Sequence, residues 1–206
     1  MCRVRRGRIV KRRIQRPIGS GFLSKRFFKL RSFLQVSENA ASASAIITIH
    51  DNPKFAVDFD SVAKLFDYYR VNSIKLKFIP AWTAQSLTSS TSVGFCAAYI
   101  FHDINHALDF SASTARDEAL GYENVTVVNL QQPWTYYREM NHNIITDPTS
   151  TTIDTISIKG YYAATDPTRT QAIGFWFDQI YGTITGDKIM FGTLITTYYI
   201  SAYGQR

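Results

Sequence analysis

The run Leu65-Phe66-Asp67-Tyr68-Tyr69-Arg70-Val71-Asn72-Ser73-Ile74-Lys75-Leu76-Lys77-Phe78-Ile79-Pro80 decides how the rest of the chain is read. Its first part carries a helical period. Val62, Leu65, Phe66 and Tyr69 fall at i, i+3, i+4 and i+7, one face of a helix. Asp60 and Ser61 stand where side chains cap the free amides of a first turn. At Asn72 the period changes to two. Ile74, Leu76 and Phe78 then share one face of a strand, and Lys75 and Lys77 share the other. Pro80 has no amide proton to give a ladder, so the strand ends there or lies at an edge. The apolar face supplies a core. The cationic face needs water or an anion.

Outward from this run the chain reads as strands joined by long loops. Arg26 to Val36 places Phe28, Leu30, Leu34 and Val36 on one face and Lys29, Arg31 and Gln35 on the other. Ala45 to His50 is a short strand that Asp51-Asn52-Pro53 breaks. Val93 to Phe101 is a continuous apolar run, the pattern of a buried strand. Ser113 to Leu120 reads as a helix closed by Gly121. Glu123–Asn129, Trp134–Met140, Ile153–Tyr162 and Ala172–Ile180 read as further strands. Lys188 to Tyr203 is a long last strand, apolar on both sides. Helices between most strands would be needed for a parallel sheet, and they are absent. Long links between antiparallel strands predict an all-β fold: a single jelly-roll sandwich of eight antiparallel strands in Greek-key order, with one or two short helices in its loops.

The chain has 206 residues, 45% of them hydrophobic, and a net charge of +7. That charge is unevenly spread. Residues 1–31 hold 12 Lys or Arg and no acid, which leaves 11 Lys or Arg against 16 acids in the remainder. Such a split suits an acidic polymer as partner of the amino-terminal arm rather than of the domain. The expected division is a basic arm over residues 1–25 and a folded domain over 26–206. Within the arm, Arg3, Arg5, Arg6, Arg8, Lys11, Arg12, Arg13 and Arg16 are candidate phosphate contacts. Lys11-Arg12-Arg13 also fits a nuclear import signal. Gly19-Ser20-Gly21 forms a hinge to the domain. Lys75 and Lys77 are candidate nucleic-acid contacts on the domain itself.

Little chemistry of other kinds is present. Cys2 and Cys96, the only cysteines, sit in an arm and a strand, so no internal disulfide is expected. The amino terminus carries no apolar signal region, and no apolar run approaches the ~20 residues of a membrane helix. His102 and His106, with Asp103 between, have the spacing of a metal pair on a helix. Here they follow a strand and lack a second ligand cluster, so no metal and no cofactor are expected. Nucleophile elbows and phosphate loops are missing, and no catalysis is expected. Asn124-Val125-Thr126 fits a glycosylation pattern but lacks a secretory context. The aromatic groups around Trp82, Trp134-Tyr136-Tyr137 and Phe175-Trp176-Phe177 are read as core or interface before base-stacking platforms.

The run Phe66-Asp67-Tyr68-Tyr69-Arg70-Val71, the alternating Ile74-Lys75-Leu76-Lys77-Phe78 and Pro80 resemble the early part of circovirus-type capsid proteins. The arginine-rich amino terminus, the Gln132-Pro133-Trp134-Thr135-Tyr136-Tyr137 run and the long closing strand follow in the same order as in that family. The arm is shorter than usual there. The resemblance implies a coat protein of about sixty copies in a small T=1 icosahedral shell. It implies circular single-stranded DNA as cargo, the virion as final location, and passage through the host nucleus with its import machinery. A coat protein of a small satellite-like RNA virus shares the plan. A cellular jelly-roll binding module is the alternative from another class. It would show clustered ligands or a cleft of convergent polar groups, and it leaves the arm without a role.

Overall fold

The computed structural model describes residues 25–39, 44–81, 97–103, 110, 119–140, 162–165, 167, 169–178 and 188–205. Residues 1–24 of the arm, both cysteines, Trp82 and His106 lie outside these residues, as does most of the expected helix ending at Leu120. The strands are β1 (Arg26–Asn39), β2 (Ser44–His50), β3 (Phe66–Pro80), β4 (Ala97–Asp103), β5 (Thr126–Asn129), β6 (Trp134–Glu139), β7 (Tyr162–Ala163), β8 (Ala172–Asp178) and β9 (Lys188–Gln205). A single-turn 3-10 helix (Pro53–Phe55) and helix α1 (Phe59–Leu65) precede β3.

Two antiparallel sheets form. The first has the order β1-β9-β3-β6, with β7 added beside the start of β3; the second is β2-β8-β4-β5. Setting the two-residue β7 aside, the pairing is nested: β1 with β9, β2 with β8, β3 with β6, β4 with β5. First strand pairs with last, second with second-last, and so inward. That is one long hairpin wrapped into a sandwich, the jelly roll expected from the sequence.

The main core lies between the sheets. Ile74, Leu76 and Phe78 of β3 are fully buried beside Leu194 and Ile200 of β9, facing Ala98, Ile100, Ile173 and Phe175 of the second sheet. Phe78 stacks on Trp134 (5.3 Å between centroids, 14° between planes), and Trp134 leans on Phe175 at 5.4 Å. A second, smaller core covers the other face of sheet two: Phe101 and Trp176 pack with Phe110, Ala119, Tyr99 and Tyr122. Hence β4 and β8 are buried on both faces. Phe175, Trp176 and Phe177 are core residues, and Trp134 and Tyr136 are half-buried against that core.

Several local expectations change. Helix α1 ends at Leu65, and β3 begins at Phe66 rather than at Asn72. Phe66 and Tyr69 are buried as expected, but from a strand, and Leu65 is exposed. The reason is a register shift between Val71 and Ser73. A bulge at Asn72 reverses the alternation, so Tyr69 and Val71 point inward before it and Ile74 and Leu76 after it. Asp58, not Asp60 or Ser61, is the residue at the helix start. It has φ 70° and makes no side-chain cap bond, so the turn is held by backbone bonds. Strand β9 is not apolar on both sides. Its outward residues Thr193, Ile195, Thr197, Tyr199 and Ser201 are mostly hydroxylic.

Candidate nucleic-acid interface

The outer face of sheet one carries the only domain cations that the sequence marked, Lys75 and Lys77. Strand alternation and register extend that face across four strands. Arg31, Thr197, Lys75 and Tyr137 form one row across β1, β9, β3 and β6. Phe33, Ile195, Lys77 and Thr135 form the next, and Lys29, Tyr199, Ser73 and Glu139 the one on the other side. Neighbouring rows on one face are about 7 Å apart along the strands, and adjacent strands are about 4.8 Å apart. Lys29, Arg31, Lys75 and Lys77 therefore sit within a few side-chain lengths of each other, with Glu139 the one acid in these rows.

Aromatic rings are interleaved with the charges. Tyr137 is 54% exposed beside Lys75. The Lys29 ammonium lies 5.8 Å from the Tyr199 ring, and the Lys25 ammonium 5.3 Å from the Phe27 ring. Phe27 and Phe33 are 71% and 61% exposed. A flat surface of cations and accessible rings can neutralise phosphates and offer π-faces to unpaired bases. Among the described residues, sheet two's outer face lies under its own small core, whereas Lys29, Arg31, Lys77 and Tyr137 on this face are exposed. Of the aromatic residues singled out in the sequence, the described one available for stacking is Tyr137.

Lys75 and Lys77 are thus brought together with each other and with partners that sequence reading left out: Lys29, Arg31, Tyr199 and Tyr137. The eight cations Arg3, Arg5, Arg6, Arg8, Lys11, Arg12, Arg13 and Arg16 lie outside the described residues. Four of the 12 basic residues counted at the amino terminus, Lys25, Arg26, Lys29 and Arg31, belong to β1 or its first flank rather than to the arm.

The other candidates take structural places. His102 is 2% exposed on β4. Its Nε2 donates to Gln171 Oε1 (3.1 Å), and its Nδ1 accepts from Arg138 Nε (3.2 Å). Asn124 brackets the same residue: its Oδ1 accepts from His102 N and its Nδ2 donates to His102 O, both at 2.9 Å. Both ends of the Asn124 amide thus extend the β4–β5 pairing ahead of the start of β5. No group of three His, Cys, Asp or Glu among the described residues could hold a metal. None of the described helices is long and apolar enough to cross a membrane.

No protein-family profile and no curated protein matches the chain. Solved structures do. The Mud crab tombus-like virus structure aligns with TM-score 0.56 at 13% identity, covering 100% of this chain and 94% of that one. The BFDV capsid protein in its 60-mer aligns with TM-score 0.56 at 14% identity, covering 89% and 95%. The Cocksfoot mottle virus structure aligns with TM-score 0.56 at 11% identity, covering 89% and 96%. The chain therefore has the jelly-roll fold of viral capsid proteins. Both a circovirus capsid and RNA-virus capsids stand among its structural neighbours.

Proposed function

We propose that this chain is a coat protein of circovirus type. In this reading it assembles into a small closed shell and packages single-stranded DNA. The arm and the outer face of sheet one both contact the cargo. The observation that carries this reading is the pairing of a capsid-type sandwich with a cationic, ring-studded sheet face. The arm joins β1, whose outward residues Lys29 and Arg31 continue the same charge onto the sheet. Arm and face would thus act on one side of the subunit, the side turned toward the cargo. The mechanism is counterion release: each neutralised phosphate frees condensed cations, so binding is strong at low salt and weakly dependent on base sequence. Catalysis has no part in it.

Neighbours of this fold occur as a decamer, a 60-mer and a T=1 particle. A shell of about sixty copies would bring 12 charges per subunit, or roughly 720, to the cargo, enough to balance several hundred phosphates. Lys11-Arg12-Arg13 would serve import into the host nucleus, where a DNA cargo is available. The test is the nature of the nucleic acid that co-purifies with the expressed full-length protein. Cargo degraded by DNase and resistant to RNase supports the reading. Cargo degraded only by RNase replaces it with the satellite-like RNA reading.

A further inference from the structure

One end of the sandwich interior is polar. Arg138 on β6, His102 on β4, Gln171 before β8 and Asp51 after β2 are linked in sequence through side chains and backbone. Arg138 Nε donates to His102 Nδ1, and His102 Nε2 donates to Gln171 Oε1. Asp51 N donates to Gln171 O at 3.2 Å. The Asp51 carboxylate accepts from Thr170 N at 2.8 Å, from Gln171 N at 3.3 Å and from the Thr170 hydroxyl. His102, Gln171 and Asp51 are each at most 2% exposed.

His102 belongs to sheet two, and Gln171 and Asp51 directly flank its strands β8 and β2. Arg138 alone comes from sheet one, on its edge strand β6. Its bond to His102 therefore crosses between the sheets. A guanidinium has no acceptor, so it can meet only the lone pair of a neutral imidazole. The ring is held as the Nε2–H tautomer by a donor on one side and an acceptor on the other. A proton added at Nδ1 would set N–H against N–H and place a second cation beside the half-buried guanidinium.

We propose that His102 and Arg138 form an acid-released latch that holds β6 against the second sheet. Protonation of His102 at Nδ1 ejects Arg138 and frees the edge strand. The groups facing the ring are Arg138 from β6, Gln171 from the segment before β8, Asp103 from β4 itself and Asp51 from the end of β2. Asp103 is engaged by the Tyr122 hydroxyl at 2.9 Å. Burial, then Arg138, hold the imidazole below its ordinary pKa; Gln171, Asp103 and Asp51 oppose them more weakly. The sign follows. Above pH 6.5 the ring is neutral in both states and the latch is closed. Below it, the released state takes up a proton that the latched state refuses. The released fraction then rises with acid until the folded pKa is reached. Alternation puts Tyr137 on the cationic face and Arg138 on the inner one, so release loosens the strand that forms one edge of that face. The latch follows from side-chain geometry alone; its use in opening a shell in an acidic compartment rests on the coat-protein reading.

The experiment is hydrogen–deuterium exchange of the full-length protein between pH 7.5 and 5, corrected for intrinsic rates. The peptide spanning Trp134–Glu139 should lose protection about tenfold per pH unit below 6.5, the slope for uptake of one proton, while β9 holds. In His102→Gln, whose amide stays neutral and can still accept from Arg138, that acid dependence should vanish. In Arg138→Gln, β6 should already exchange faster at pH 7.5 and gain little more from acid. Undiminished acid loosening of β6 in either variant, or none in the unaltered protein, would overturn the latch. None of these readouts depends on particle formation, so failure of the coat reading stays distinguishable.

Discussion

Neutralising Lys29, Arg31, Lys75 and Lys77 together tests whether the sheet face contacts nucleic acid. Each phosphate contact on a single strand contributes about 0.7 to the slope of log affinity against log salt. Eight arm cations and four face cations give a full-length slope of about −8 if all engage. The quadruple Gln variant should fall to about −6, and a chain lacking residues 1–24 to about −3. Over a fourfold rise in salt, the truncated chain should weaken by roughly 50-fold, and with Lys75 and Lys77 also neutralised by only about 7-fold. Fluorescence anisotropy with a labelled single-stranded oligonucleotide reads all four proteins. A truncated chain with a slope near zero would show that the arm acts alone. A quadruple variant as steep as the parent would remove the face from the interface. All four side chains are outward on strands, so the substitutions should leave thermal stability nearly unchanged.

Phe66 is 5% exposed and meets Phe28 edge-on at 5.5 Å, so Phe66→Ala should cost about 3–5 kcal/mol by chemical denaturation. A loss below about 1 kcal/mol would mean the start of β3 packs elsewhere. A Cβ added at Gly174 would fall inside contact distance of the Phe101 ring tip, so Gly174→Ala should lose about 1–3 kcal/mol or more, and an unchanged midpoint would place that ring elsewhere. Burial pushes the Tyr198 hydroxyl up to about 12 against a bond to Ser32, so its contribution is complete below pH 10 and lost as pH rises toward 12. Two pH units correspond to about 3 kcal/mol, and Tyr198→Phe should remove that alkaline loss from the stability profile; a profile no flatter would show that Tyr198 is not its source.

The core of β3 was legible because Ile74, Leu76 and Phe78 alternate cleanly against two lysines. The start of the same strand was not. Phe66 and Tyr69 fit a helical face, and the bulge at Asn72 hides the strand period by shifting its phase. The buried aromatics were thus right in burial and wrong in element. The cationic face was half legible. Lys75 and Lys77 stand out by alternation, but their neighbours depend on which strands pair, and Lys29 and Arg31 looked like the end of an arm. Tyr199 joins Lys29 only through the register of β9, set across nearly the whole chain. The bond between Arg138 and His102 spans 36 residues and two sheets, and no local pattern announces it. Chain order and hydrophobic alternation carried the jelly roll. The side-chain meetings that make a site came from tertiary register.

Assembly into a shell is tested by sedimentation velocity of the full-length protein. Across moderate salt and neutral pH, with nucleic acid present, a closed particle in the megadalton range is expected. A single species near the 23.4 kDa of the chain under all those conditions would contradict it.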